Sequence, residues 1–104
     1  MKDLLNQFGL NDKEIAVYLA TLELGDSSIG AIETLTGLHR QLIYNAADSL
    51  AKQGLMKIKR QGGRKRFVPA PPDTFEELAI QKLEQAREIT KKLEEAKQAA
   101  NFTS

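Results

Sequence analysis

Cysteine is absent from these 104 residues, so the chain can form no disulfide, no thiolate metal site and no thiol redox switch. Histidine occurs once, at His39, which excludes a histidine-rich metal centre. No stretch approaches the roughly 20 apolar residues that a membrane span requires. The opening MKDLLNQFGL carries acid and amide groups where a signal peptide would have its apolar core. A cytoplasmic protein without membrane association is therefore expected. Also missing are a glycine-rich phosphate loop after a strand, a cluster of metal ligands and a nucleophile motif, so no catalytic residue, metal or cofactor is expected. These absences argue against an enzyme.

The remaining composition, 41% hydrophobic and 28% charged, is that of an ordinary globule, and the length suits one domain. A net charge of +1 conceals a sharp division along the chain. Residues 1–54 carry four basic and seven acidic groups, and residues 69–104 carry five and seven. The 14 residues 55–68 carry six basic groups and no acidic one. A patch so concentrated steers a polyanion to one face, whereas a diffuse excess would only aid solubility.

The chain is organised around Thr36 to Met56, TGLHRQLIYNAADSLAKQGLM. Gly37 opens and Gly54 closes a helix over about residues 39–53. At about 100° per residue, Ile43, Ala46, Ala47 and Leu50 share one side. Gln41, Asn45, Asp48 and Lys52 fall opposite, with Tyr44 on a shoulder. The apolar side demands burial. The polar side, with Arg40 beside it, offers the amide, phenol and guanidinium groups that reach base edges and phosphates. No Ser, Thr, Asp or Asn caps this helix, so either water or a phosphate satisfies its first N–H groups or its first turn frays.

Upstream, Leu4, Leu5 and Phe8 of a short amphipathic segment are expected to cover a core, and Gly9 stops it. Asn11 followed three residues later by Glu14 is a capping-box arrangement. It opens a helix with Ile15, Tyr18, Leu19 and Leu22 as the inward stripe, ended by Gly25. Ser28 caps a shorter helix with Ile29, Ile32 and Leu35 inward, and Leu38 plugs the following turn. From Leu55 the period becomes two: Met56 and Ile58 alternate with Lys57 and Lys59, and Phe67 stands between Arg66 and Val68. Gly62-Gly63 between these runs signals a hairpin, because both glycines tolerate positive φ. Pro69, Pro71 and Pro72 end the ladder.

Asp73, with Glu76 three residues on, is expected to cap a last helix to about Ala100, roughly 40 Å long at 1.5 Å per residue. One side carries Ala79, Leu83, Ala86, Ile89, Leu93, Ala96 and Ala100, and the rest is polar, including an i, i+4 pair of Glu88 and Lys92. A narrow stripe of this kind is a helix-pairing seam, so a homodimer is expected, and the closing residues 101–104 are expected to fray. The whole reads as a mainly α fold with a small β-hairpin. Residues 1–72 form a winged helix-turn-helix DNA-binding domain and residues 73–104 a C-terminal dimerisation helix.

The stretches GLNDKEIAVYLATLELG, TGLHRQLIYNAADSLAKQGLMKI and RKRFVPAPP, in this order, resemble the TrmB-like winged-helix transcriptional regulators over residues 5–75. The resemblance implies a three-helix core plus a wing, with the third helix entering the major groove of double-stranded DNA. Arg40 and Tyr44 match the Arg and Tyr typical near the start of that family's recognition helix. His39 stands where Pro or Ser is usual, and Leu42 where a polar or basic residue is common. No effector domain follows Ala70, so the expectation is a stand-alone DNA-binding module without a small-molecule effector.

The candidate DNA-binding residues are His39, Arg40, Gln41, Tyr44 and Asn45 on the helix, and Lys59, Arg60, Arg64, Lys65 and Arg66 on the wing. Arg suits guanine, and Asn or Gln suits adenine. An edge strand needs only a lysine or two to discourage aggregation, and this hairpin carries six cations without an acid. The alternative is a winged helix that docks a protein rather than DNA. Leu42 favours that alternative and the basic wing opposes it.

Overall fold

The computed structural model describes residues 1–103, with helices Lys2–Phe8 (α1), Asp12–Leu24 (α2), Ile29–Thr36 (α3), Arg40–Lys52 (α4) and Thr74–Thr103 (α5). Strands Ser27–Ser28 (β1), Met56–Gln61 (β2) and Arg64–Pro69 (β3) form an antiparallel sheet in the order β1-β3-β2. The chain divides into two compact units, Met1–Pro71 and Pro72 onward.

The capping box at α2 forms as expected: Asn11 Oδ1 accepts from the Glu14 N–H, and Glu14 Oε1 from the Asn11 N–H, both at 2.8 Å. Glu14 is itself buried, and a buried carboxylate is costly unless its lone pairs are used. Its second oxygen accepts from the Ser49 hydroxyl and from Gln53 Nε2 (2.7 Å), so the start of α2 is tied to the end of α4. Ser28 caps α3 by accepting from the Ala31 N–H. Gly37 adopts φ 72° in the turn to α4, a conformation that penalises any side chain with a Cβ. Thr36 steadies this turn: its hydroxyl donates to the Ile32 carbonyl and accepts from the Leu38 N–H. The turn delivers α4 with Ile43, Ala46, Ala47 and Leu50 buried, the four residues that its periodicity assigns to the core.

Around these four pack Ile15, Val17 and Tyr18 of α2, Ile32 of α3, Leu55, and Phe67 of β3. The Tyr18 hydroxyl donates to the Ala70 carbonyl at 3.0 Å, which pins the chain just beyond the sheet. The inward stripes differ in detail from expectation. Leu4 is exposed and Leu5 alone of α1 is buried, while Leu22 and Leu35 stand exposed at the last turns of their helices. In α2 the covered face turns toward Val17, Ala20 and Thr21, because α2 packs against both α3 and α4 and buries a wider arc than a four-residue stripe.

The hairpin turn is the pair Gly62 and Gly63, at φ 60° and 80°, with Gln61 paired to Arg64. Such primed turns match the right-handed twist of the strands they join. The strand β1, absent from the expected hairpin, pairs Ser27 with Phe67 and Ser28 with Arg66. Two residues carry no periodicity, and only the neighbouring strand reveals them.

In the second unit α5 opens with the Asp73 carbonyl accepting from the Glu76 and Glu77 N–H groups. It reaches Thr103, three residues beyond the expected end, and the fraying expected at Ser104 lies outside the described residues. Glu88 and Lys92 pair at 3.8 Å. Ile80, Leu83, Ile89 and Leu93 are 51–64% exposed. Among the described residues, no helix is long and apolar enough to cross a membrane.

Candidate nucleic-acid interface

Strand alternation sorts the wing cations onto two faces. Lys59 lies opposite Arg66 and Arg60 opposite Lys65, one step nearer the tip. Residues two apart share a face, so Arg60 and Lys65 fall on the side of Ile58 and the buried Phe67, while Lys59 and Arg66 point the other way. The inward-facing pair extends past the core toward the start of α4. There Lys65 Nζ lies 4.9 Å from the centre of the Tyr44 ring, a cation–π distance, and that ring packs 6.1 Å from Phe67. Tyr44 is thus a half-buried shoulder that joins the wing to α4.

An open cleft of about 480 Å³ results. Arg40 and Tyr44 line it from α4, Arg60, Arg64 and Lys65 from the wing, and Ser28 to Gly30 from the start of α3. A concave surface with four cations and a helix start suits a phosphodiester, whose charge each of these groups favours. Arg40 is held by Glu33, with Nη2 3.0 Å from the carboxylate. That hydrogen bond, and then the attraction of the two charges, raises the Arg40 pKa further. Among the described residues Arg60 and Arg64 make no ion pair.

On α4 the residues expected to face outward do so. His39 occupies the N-cap position without a side-chain cap bond, and Arg40, Gln41 and Asn45 are exposed. Gln41 Nε2 donates to Asn45 Oδ1 at 3.0 Å, so the two amides are aligned one turn apart. Leu42 is half-buried rather than presented. The candidate residues therefore form one surface, with two exceptions: Lys59 and Arg66 are engaged by Asp26, at 3.1 and 2.8 Å. Nothing local marks Asp26 in the sequence, since it lies 40 residues from Arg66 and meets it only through the pairing of β1 with β3. Among the described residues, no group of three potential ligands could hold a metal ion.

Similar architectures occur in solved structures. TrmBL2, an archaeal chromatin protein, superposes with a TM-score of 0.78 at 21% identity, covering 93% of this chain and 38% of its own. The present chain thus spans about two fifths of that protein's length. The DNA-binding protein Sso10a-2 from Sulfolobus solfataricus matches with a TM-score of 0.51 at 19% identity, over 82% of this chain and 90% of that one. The homodimeric winged helix-turn-helix domain Mb0332 from Mycobacterium bovis, a possible ArsR-family regulator, gives 0.55 at 20% identity, over 81% and 77% of the two chains. At these identities the likeness establishes the winged-helix fold. No curated protein is similar enough to count as a relative. The sequence itself supplies the lineage: the model of the sugar-specific transcriptional regulator TrmB matches residues 4–73, most of the winged-helix unit, and the chain belongs to that family of winged-helix DNA-binding regulators.

Proposed function

We propose that this chain is a sequence-specific double-stranded DNA-binding transcriptional regulator acting as a homodimer. Residues 1–72 bind DNA and residues 73–104 pair two copies. The observation that carries the reading is the cleft in which Arg60, Arg64 and Lys65 of the wing converge with Arg40 at the start of α4, beside the outward amides of Gln41 and Asn45. The wing tip neutralises phosphates, and the first turns of α4 read bases in the major groove. The half-buried position of Leu42 leaves little apolar surface on the outer face of α4, where the protein-docking alternative needs it.

Dimerisation is supported by the exposed side chains of Leu83, Ile89 and Leu93 on α5. Leaving such side chains in water forgoes about 1.5–3 kcal/mol each. A two-fold pair presents two recognition helices to major-groove faces roughly 34 Å apart and reads an inverted repeat. The homodimeric state of the similar Mb0332 domain fits this arrangement.

A salt titration of duplex binding tests the proposal. With three phosphates neutralised per subunit, log K falls against log salt with a slope of about −5 for a dimer. Gln41→Ala or Asn45→Ala costs about 1–3 kcal/mol on a preferred site and much less on random DNA. Salt-insensitive binding, or equal losses on both DNAs, would remove the corresponding half of the mechanism.

A further inference from the structure

The two cross-strand cation pairs of the wing are held differently. Arg66 donates from Nε to Asp26 Oδ1 at 2.8 Å and from Nη2 to the Asp26 carbonyl at 2.9 Å, while Lys59 Nζ lies 3.1 Å from the other carboxylate oxygen. Asp26 stands in the short link from α2 to β1, so these bonds brace the root of the wing against the helical unit. Arg60 and Lys65, one step toward the tip, face the cleft and meet no carboxylate there. A phosphate that approaches Lys59 or Arg66 must compete with Asp26. One that approaches Arg60 or Arg64 has no such competitor among the described residues.

Building on the DNA-binding reading, we propose that Asp26 is the positioning residue of the wing: it engages Lys59 and Arg66 as a brace and restricts polyanion binding to Arg60, Arg64 and Lys65. The device limits non-specific affinity while holding the tip at the mouth of the cleft. Asp26 remains ionised at neutral pH, since the hydrogen bond from Arg66, and then that from Lys59, holds its carboxyl below the usual carboxylate value.

The test measures binding of the full chain to a short random duplex by fluorescence anisotropy across a potassium chloride series. Each cation that engages a phosphate adds about −0.9 to the slope of log K against log salt. Asp26→Asn is expected to bind more tightly at low salt, with a slope steeper by about one to two units per subunit. The lower figure reflects the net charge removed, and the upper one both cations turning to phosphates. Lys59→Gln/Arg66→Gln should leave the slope nearly unchanged, and Arg60→Gln/Arg64→Gln should flatten it by about two units per subunit. A merely structural Asp26 would give weaker binding with an unchanged or shallower slope, and that result overturns the proposal. So does equal flattening by the two double variants, which decide the question even if Asp26→Asn folds poorly. A wild type that binds duplex without salt dependence overturns the DNA reading itself, a result distinct from failure of the brace alone.

Discussion

The helices α4 and α5 carry the same kind of signal and meet opposite fates. Both repeat apolar residues at helical spacing, yet Ile43, Ala46, Ala47 and Leu50 of α4 are at most 5% exposed, while Ile80, Leu83, Ile89 and Leu93 of α5 are at least 51% exposed. In α4 the cover comes from distant parts of the chain, with Ile15 and Tyr18 on one side and Phe67 on another. The 30 residues of α5 display their stripe uncovered. Periodicity states that a face needs cover and is silent about what supplies it.

The largest effect is expected where cover is proposed to come from a second copy. Ile89→Glu/Leu93→Glu should convert a dimer into a monomer in sedimentation at micromolar concentration, because four buried side chains per dimer are lost at about 1.5–3 kcal/mol each. Binding to an inverted repeat should fall with it. A wild type that already sediments as a monomer would show that α5 is not the seam.

Removing cover inside the first unit comes next. Phe67→Ala should lower the free energy of unfolding by about 3–5 kcal/mol in a denaturant titration, since the ring is fully buried and the space it leaves cannot close. It should also loosen Tyr44, whose ring packs on Phe67. A loss below about 1 kcal/mol would mean that the sheet is not part of the core.

A smaller effect is expected at the capping box. Asn11→Ala removes one of its two reciprocal bonds and should cost about 1 kcal/mol. Circular dichroism melts can compare it with Lys92→Ala on α5, whose exposed pair with Glu88 should contribute about 0.5 kcal/mol or less. Similar losses at both sites would contradict the assignment of α2 to a cooperative core.

The remaining effect is a pH dependence, read in alkali. Burial raises the Tyr18 phenol above its ordinary value of 10.0. The folded state then holds this proton more tightly than the unfolded one. The stability involved is fully present below the unfolded value and is lost as pH rises from there through the folded value. Tyr18→Phe should flatten that alkaline decline while costing about 1 kcal/mol at neutral pH through the lost bond to Ala70. An identical alkaline decline in the variant would place its origin elsewhere.

Much of the molecule was legible before any coordinates. The capping box at Asn11 and Glu14, the Ser28 cap, the buried side of α4 and the Gly62-Gly63 turn are local matters, set by residues within a few positions of one another. Their geometry follows from backbone sterics and from the spacing of side chains on a helix or strand. The clustering of six cations in residues 55–68 is equally a property of the sequence. Tertiary structure decided what depends on residues far apart. The strand β1 exists only because β3 lies beside it, and Leu22 and Leu35 stand exposed while Ile15, Tyr18 and Ile32 of the same stripes are buried. Lys59 and Arg66 were indistinguishable from Arg60 and Lys65 by charge alone. The sheet register places the first pair within reach of Asp26 and the second at the cleft. A cation's partner depends on a distance of a few ångströms, and only the folded chain sets that distance.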